Sequence, residues 1–291
     1  MIIEKQEDVT RAVLEEMLRT PDARTREILS ALVRHVHAFI REVKLTEREF
    51  QEAIGALNAI GQSTTPSHNE AMLMAGALGA SNLICLLNNG LKGTRPTQAN
   101  NLGPFYRAGA PRCANGASIV RSPTPGPALH FRGSVRDLDG RAIAGAEVDV
   151  WHSSPVGLYE NQDATQAEMN LRGRFTTDAH GAFSFRSVKP TGYPVPTDGP
   201  TGALLRAQKR HNFRPAHLHF LIRKPGFKTI ASQVYDPGDP HLETDSQFGV
   251  TRALIGNFQK NGEEYSLEFT FTLEPGESWL PRAPITGKVA A

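Results

Sequence analysis

Two histidines one residue apart, His217 and His219, are the first residues of this chain with evident chemistry. They sit in Arg214-Pro215-Ala216-His217-Leu218-His219-Phe220, within a run of apolar and branched residues that closes at Lys224-Pro225-Gly226. That pattern predicts a β-strand. Strand side chains alternate between faces, so both imidazoles point the same way, a spacing suited to one metal ion. Upstream, Tyr159 and Tyr193 each lie in a glycine- and proline-bounded loop able to aim a side chain at a site. Phenolate oxygen is a hard anionic donor that favours ferric iron. Taken singly, each residue has an ordinary reading: a histidine on a strand face, a turn tyrosine, a loop plug. Taken together, two imidazoles and two phenolates supply two neutral nitrogens and two negative charges, so a ferric ion with one hydroxide is charge-neutral. Such a set suits zinc or copper poorly, and it differs from the two-His, one-carboxylate set of many ferrous oxygenases.

The bulk numbers bound the alternatives. The 291 residues can hold one large domain or two modest ones. Thirty-two basic and 30 acidic residues leave a formal net charge of +2, which gives no electrostatic reason to expect nucleic acid as a partner. Cys85 and Cys113 form no disulfide framework, so a reducing, cytoplasmic setting is expected. The acidic stretch from Met1 to Asp8 lacks the apolar core of a secretory signal. The most apolar stretch, Ala71 to Leu87, is interrupted by Ser81 and Asn82 and reads as a buried helix rather than a membrane span.

The elements that must position the four donors follow from periodicity. The first ninety residues are almost free of proline and repeat apolar positions at helical spacing, as in Val9, Val13, Leu14 and Met17, then Ile28, Leu32, Val36 and Phe39. Thr46 with Glu49, and Ser67 with Glu70, fit capping boxes, and Asn89-Gly90 is a plausible stop for the last helix. From about Gly93 to Pro127, proline and glycine become dense, as in a linker wrapping a domain surface. From Leu129 the period becomes two, with Leu129, Phe131, Gly133 and Val135 on one face. Further strands are expected near residues 146–151, 182–188, 216–223, 229–235 and 265–273. Short strands between turn signals predict an antiparallel sandwich or barrel. The connections from Tyr159 to Gly181 and from Lys189 to Gly202 are long, and long loops on such a scaffold commonly carry sites.

Several motifs then make the resemblance specific. They are Trp151-His152…Gly157-Leu158-Tyr159, Asn170-Leu171-Arg172-Gly173-Arg174-Phe175-Thr176-Thr177-Asp178, Gly192-Tyr193-Pro194-Val195-Pro196-Thr197-Asp198-Gly199-Pro200 and the Arg214–Phe220 segment. In this order they resemble the intradiol ring-cleavage dioxygenases, over essentially the whole chain. The resemblance implies an α+β protein: a helical linker and dimerisation domain over residues 1–100, then an antiparallel β-sandwich catalytic domain over residues 101–291 holding non-haem Fe(III). It implies Tyr159, Tyr193, His217 and His219 as the ligands, Tyr193 and His219 axial, with hydroxide completing the site. It implies that Tyr193 accepts a proton from a chelating diol, that Arg214 stabilises negative charge developing on the ring, and that Gln233 contacts the substrate region. It also implies a homodimer joined through the N-terminal helices, with a phospholipid where they meet; Met72, Leu73, Met74 and Leu83 to Leu87 could line that channel or simply the dimer core.

The substrate is narrowed by the pocket segment Asn101-Leu102-Gly103-Pro104-Phe105-Tyr106. Its Gly-Pro-Phe-aromatic form resembles hydroxyquinol 1,2-dioxygenases more than catechol enzymes, and residues 266–273 lean the same way. Cleavage of hydroxyquinol would give maleylacetate; cleavage of catechol, the alternative, would give cis,cis-muconate. Asn101, Gly103, Pro104, Phe105, Gln247 and Cys85 are the expected pocket residues. Asn101 and Gln247 stand where family pockets usually offer apolar residues, and Cys85 where hydroxyquinol enzymes commonly carry aspartate. An added polar lining could bind a third ring hydroxyl or another polar substituent, or form a solvated rim. Two rival classes remain at this point: a zinc or ferrous enzyme using His217, His219 and a carboxylate such as Asp198, and a carbohydrate- or protein-binding sandwich with no catalytic metal.

Overall fold

The computed structural model describes residues 2–89 and 96–289. The chain divides into two compact units at Asn58–Ala59. In the first, α1 (Gln6–Met17) and α2 (Ala23–Val43) are joined by Thr10 Oγ1 and His37 Nδ1 at 2.9 Å. Asp22 caps α2 by accepting from the Thr25 amide at 2.7 Å. α3 (Glu47–Gln62) begins at the expected capping box, with the Thr46 amide donating to Glu49 Oε2 at 2.9 Å.

The second unit holds everything that builds the site. Its first helices are α4 (Glu70–Ala77) and α5 (Ala80–Asn88). The expected single buried helix over the apolar stretch is therefore corrected to two short ones, bent by 75°. The cause is Gly79, whose φ of +73° is a left-handed conformation that ends one helix and starts the next. Leu83, Ile84 and Leu87 of α5 are exposed. Among the described residues no single helix is long and apolar enough to cross a membrane. The Ser67–Glu70 box is also corrected. Asn69 caps α4, and the Glu70 carboxylate reaches across to accept from the Thr201 amide at 2.7 Å. Gly90 and the start of the expected linker at Gly93 lie outside the described residues.

Ten strands and one helix follow: β1 (Ala128–Arg136), β2 (Glu147–His152), β3 (Arg172–Thr176), β4 (Ala182–Val188), β5 (Tyr193–Pro194), α6 (Pro200–Ala207), β6 (Phe213–Arg214), β7 (His217–Arg223), β8 (Ile230–Tyr235), β9 (Gln259–Asn261) and β10 (Glu264–Thr272). They form two four-stranded sheets, β4-β1-β10-β9 and β3-β2-β7-β8, and a two-stranded ribbon, β5-β6. One pairing departs from the antiparallel expectation: β1 and β10 run parallel. A parallel pair needs a long crossover, and here most of the domain lies between the two strands.

The sheets face each other across an aromatic core. Phe131 of β1 lies 4.8 Å from Phe185 of β4 and 5.0 Å from Phe220 of β7, and Phe220 lies 4.8 Å from Phe271 of β10, between ring centroids. β7 is buried on both faces. Leu218, Phe220 and Ile222 enter the sandwich core, while His217, His219 and Leu221 turn to the opposite face. That outer face would meet solvent in a bare sandwich. Here the loops 153–171 and 189–212 lie over it, and it carries polar residues: Asp149, Arg172, Gln233 and Tyr235 are all buried.

One buried charge network holds the first of these loops. Glu160 accepts from Arg107 Nη1 at 2.8 Å and from Arg172 Nε at 2.7 Å, while Arg172 Nη2 donates to Asn161 Oδ1 at 3.0 Å. Removing one partner of a buried ionic group leaves the other uncompensated. Arg172→Met is therefore expected to cost about 3 kcal/mol of stability. Urea unfolding curves checked against the parent protein would show this, and an unchanged midpoint would contradict the anchoring role.

Candidate active site

The register of the outer face brings the site together. Trp151 pairs with His219, His219 with Gln233, and His217 with Tyr235, so these side chains stand in adjacent rows. Trp151 stacks on His219, with ring centroids 4.7 Å apart and planes at 9°. Tyr193 pairs with Arg214 across the β5-β6 ribbon. Tyr159 follows a tight turn at Gly157, whose φ is +80°, and precedes a single 3-10 turn at Glu160–Gln162 anchored by the Glu160 network. The left-handed φ is what calls for glycine at 157, where a Cβ would make only an ordinary contact with Tyr193.

The four expected donors converge. His217 Nε2 and His219 Nε2 are 3.0 Å apart, and the Tyr159 and Tyr193 hydroxyls are 3.4 Å apart. Tyr193 neighbours His217 at 5.7 Å and Tyr159 neighbours His219 at 6.2 Å between centroids, closing a ring of four. His217 Nδ1 lies 2.7 Å from the Pro215 carbonyl, which holds the proton on that nitrogen and turns the Nε2 lone pair into the ring. Gly103, at φ +77°, lets the chain cross His219, since a Cβ there would lie 3.1 Å from His219 Cε1.

The electrostatics favour a cation at the centre. Burial pushes both imidazoles down, His217 to about 3 and His219 well below its ordinary value, so both are neutral and able to donate a lone pair. Burial raises Tyr159, reinforced by Tyr193; it raises Tyr193 as well, with Arg214 partly offsetting it. The protein alone therefore keeps both phenols neutral, and ionising them takes a strongly polarising cation. Two neutral nitrogens and two ionisable oxygens fit a hard trivalent metal. Asp198, the carboxylate of the rival zinc or ferrous reading, is exposed. Among the described residues no group of three or more His, Cys, Asp or Glu side chains is arranged to hold a metal.

Arg214 closes one side. Its Nη1 lies 3.3 Å from His217 Nε2. Its Nε and Nη2 make a two-pronged pair with Asp245 at 3.0 and 3.1 Å, and Nη2 also donates to Gln233 Oε1 and to the Tyr235 hydroxyl, both at 2.9 Å. Burial alone would raise Asp245, but Arg214 and the amides of Gln247 and Gly249 hold it below the usual carboxylate range. Gln233 lies between Arg214 and the 101 segment. Its Oε1 is taken by Arg214 and Tyr235, and its Nε2 donates to the Asn101 carbonyl at 2.8 Å, so it positions Arg214 and the 101 segment. Asp245 and Tyr235 are not among the residues the sequence points to, and Trp151 appears there only as the first residue of a motif. The ionic partner of a buried arginine is the one signal that asks for such a residue, and nothing in the chain order says which carboxylate it is.

A cavity of about 230 Å³ opens beside Arg214. Asn101, Gly103, Pro104, Gln247 and Cys85 line it as expected, with Met72, Gly76 and Ile84 from α4 and α5. Phe105 lies behind the four donors instead, its ring 4.7 Å from Tyr159. Burial raises the Cys85 thiol to about 11, so it presents a neutral wall.

Comparison with known proteins agrees with this geometry. A family model described as Dioxygenase matches residues 102–275, and one described as Catechol dioxygenase N terminus matches residues 22–94. The chain belongs to the intradiol ring-cleavage dioxygenase family, enzymes that open an aromatic vicinal diol with O2 between its two hydroxyl-bearing carbons. It is 40% identical over 271 residues, 93% of this chain and 98% of the relative, to 6-chlorohydroxyquinol 1,2-dioxygenase of Cupriavidus pinatubonensis. Among solved structures, hydroxyquinol 1,2-dioxygenase from Pseudomonas putida DLL-E4 matches at 33% identity and a TM-score of 0.82, covering 93% of this chain and 99% of that one. Catechol 1,2-dioxygenase from Pseudomonas arvilla C-1 matches at 31% identity and 0.81, covering 95% of each.

The buried neutral histidines have a consequence for acid stability. His152, with Nδ1 2.7 Å from the Ser153 carbonyl and Nε2 2.6 Å from Ser187 Oγ, is held down to about 4, chiefly by burial. The unfolded chain binds protons at His152 and His217 below the ordinary value of 6.5, and the folded chain does so only near 4 and 3. Stability is then full above 6.5 and is lost as pH falls through that window, each histidine contributing on the order of 1 kcal/mol per pH unit. Urea unfolding of the metal-free protein between about pH 7 and about pH 5 is expected to show the fall; a flat profile would contradict neutral buried imidazoles.

Proposed function

We propose that this protein is a hydroxyquinol 1,2-dioxygenase using non-haem Fe(III) bound by Tyr159, Tyr193, His217 and His219. The observation that carries the proposal is the closed ring of four buried donors beside a cavity that ends at Arg214. The named relatives support hydroxyquinol: 6-chlorohydroxyquinol and hydroxyquinol enzymes at 40% and 37% identity. Catechol is the second reading, favoured by a catechol 1,2-dioxygenase of Candida albicans at 36% identity. A cavity of about 230 Å³ takes a single-ring ligand, below the range for drug-sized molecules.

A ferric ion held by Tyr159, Tyr193, His217 and His219 would supply a Lewis acid to the bound diol and activate its ring toward O2. The chain's residues do the rest. Tyr193 Oη is buried beside Arg214 and stays protonated without a cation; ionised by the bound cation, it would accept a diol proton. Arg214, fixed by Asp245, Gln233 and Tyr235, stabilises negative charge that develops on the ring, a preorganised contribution of about 2–4 kcal/mol. Pro104 and Gly103 line the cavity where the ring would lie. Because the donors that act in the reaction are buried, water is kept from the reacting carbon.

The same reading assigns residues 1–100 to a linker and dimerisation role and residues 101–291 to catalysis. α2 carries an exposed apolar stripe of Ile28, Leu32, Val36, Phe39 and Val43, and α5 exposes Leu83, Ile84 and Leu87; a second copy and a bound phospholipid would cover such surfaces. Two free thiols fit a cytoplasmic setting. Sedimentation equilibrium is expected to give a dimer, with Phe39→Glu shifting it toward monomer, and organic extraction followed by mass spectrometry is expected to release the lipid. A monomeric parent or a lipid-free extract would remove the respective assignment.

The first test is an anaerobic optical titration of the iron-loaded protein with hydroxyquinol and, separately, catechol, followed by air. A visible tyrosinate band that moves to longer wavelength with the diol, then decays to maleylacetate, is the expected result. Decay only with catechol, giving cis,cis-muconate, selects the second reading, and a colourless iron-loaded protein rejects the ligand set. Tyr193→Phe is expected to shift that band and lower kcat by about a hundredfold or more, the smaller end of a general-base contribution. Full activity with an unchanged spectrum would exclude Tyr193 as a ligand.

A further inference from the structure

The loop 245–249 lies outside helix and strand, yet it carries the carboxylate that fixes Arg214. Two of its amides close on that carboxylate: those of Gln247 and Gly249 donate to Asp245 at 3.1 and 2.9 Å. Its carbonyls have no sheet or helix to serve them and must find donors elsewhere. Ser246 O accepts from Arg210 Nη2 at 2.7 Å, Phe248 O from the Asn82 side chain, and Gly249 O from the Asn100 side chain. Side chains from separate parts of the fold thus hold this loop by its backbone. Phe248 shows the constraint they impose. Its φ of +55° is left-handed, a conformation uncommon for a bulky residue and kept only where the surroundings fix it.

Arg210 differs from the two asparagines in bridging to the end of a helix. Its Nη1 donates to the carbonyl of Ala77, the last residue of α4, at 3.0 Å. The last carbonyls of a helix have no partner within it, and that end of a helix attracts a cation, so a guanidinium suits the place. The same group lies over the Phe248 ring, 4.6 Å from its centroid. One planar side chain therefore touches the end of α4, the backbone of the 245–249 loop and the constrained phenylalanine. A lysine, with one nitrogen on a flexible stem, cannot bridge two carbonyls and cover a ring at once.

Both elements joined by Arg210 bear on the reacting position. α4 supplies Met72 and Gly76 to the cavity, and the loop supplies Asp245, whose two oxygens orient Arg214. Arg210 itself does not line the cavity. Its influence on the reaction passes through Asp245 and Arg214.

Resting on the role given to Arg214 above, we infer that Arg210 is a positioning residue for ring cleavage: it ties the end of α4 to the 245–249 loop and so holds the Asp245–Arg214 pair at the reacting ring. Arg214 serves charge that develops during the reaction rather than charge in the bound diol. Losing Arg210 therefore lowers kcat and leaves diol affinity near that of the parent.

The test uses the iron-loaded full chain with whichever of hydroxyquinol and catechol the parent cleaves. It reads kcat and the anaerobic Kd from the shift of the visible band. Arg210→Met is expected to lower kcat by about tenfold while Kd stays within about threefold. Arg210→Lys keeps the charge and is expected to be impaired to the same degree. Arg214→Gln is expected to lower kcat by about a hundredfold or more, and adding Arg210→Met to it to change kcat by less than about threefold, because both act along one path. A kcat within about threefold of the parent in Arg210→Met, recovery in Arg210→Lys, or a second tenfold loss in the double variant overturns the inference. Should Arg214→Gln fail to fold, the single variants decide: a Kd that weakens as much as kcat falls reports general loosening and also overturns it. Parental kcat in Arg214→Gln overturns the role of Arg214 itself, and a parent that cleaves neither diol overturns the intradiol reading; the inference falls with either.

Discussion

The buried guanidinium of Arg214 is the interaction on which the site depends. A charge removed from water must be compensated on the spot, and Arg214 draws its compensation from several separate stretches of chain. Asp245 comes from a loop after β8, Gln233 and Tyr235 from β8 itself, and Tyr193 from the ribbon strand opposite. Gly249 has no side chain because one would strike Tyr235, Arg214 and Asp245 together. Ordering the arginine therefore orders the second tyrosine loop, the 101 segment and the 245–249 loop as one unit. The four donors need that common frame, since each arrives from a different place in the chain.

The sandwich supplies a second constraint through strand parity. Even-numbered residues of β7 fill the space between the sheets, so odd-numbered ones fall on the outer face. A one-residue slip of β7 would exchange the two histidines with Leu218 and Phe220, burying imidazoles in an aromatic core and taking Phe220 out of it. Packing energy and site geometry thus lock the same register. The outer face is dry only because the loops around Tyr159 and Tyr193 cover it, and those loops stay down through Glu160 and Arg214.

Much of this was legible in the sequence. Alternation at Leu129, Phe131, Gly133 and Val135 matches the buried positions of β1, and the spacing of His217 and His219 places both on one face, as found. Other features were hidden for identifiable reasons. β3 lay inside what read as a long loop because its residues, Arg172-Gly173-Arg174-Phe175-Thr176, alternate charge with small and aromatic residues rather than plain apolar ones. α6 opens with Gly199-Pro200, a usable helix-start signal, yet sat in a stretch dominated by turn residues. The apolar run of residues 71–87 read as one helix because Ser81 and Asn82 are tolerated inside one, and Gly79 bends it through conformation rather than polarity.

Local order along the chain therefore determined the helices, most strands, the sharing of one face by the two histidines, and the motifs that mark the family. Only the tertiary structure decided the rest: that β1 and β10 pair in parallel, that Asp245 is the carboxylate facing Arg214, that Gln233 serves the arginine rather than the cavity, and that Phe105 stands behind Tyr159. The physical reason is common to all four. Periodicity and turn chemistry act over a few residues, whereas a buried charge or an unpaired amide is satisfied by whatever group folding brings within about 3 Å, regardless of its distance in sequence.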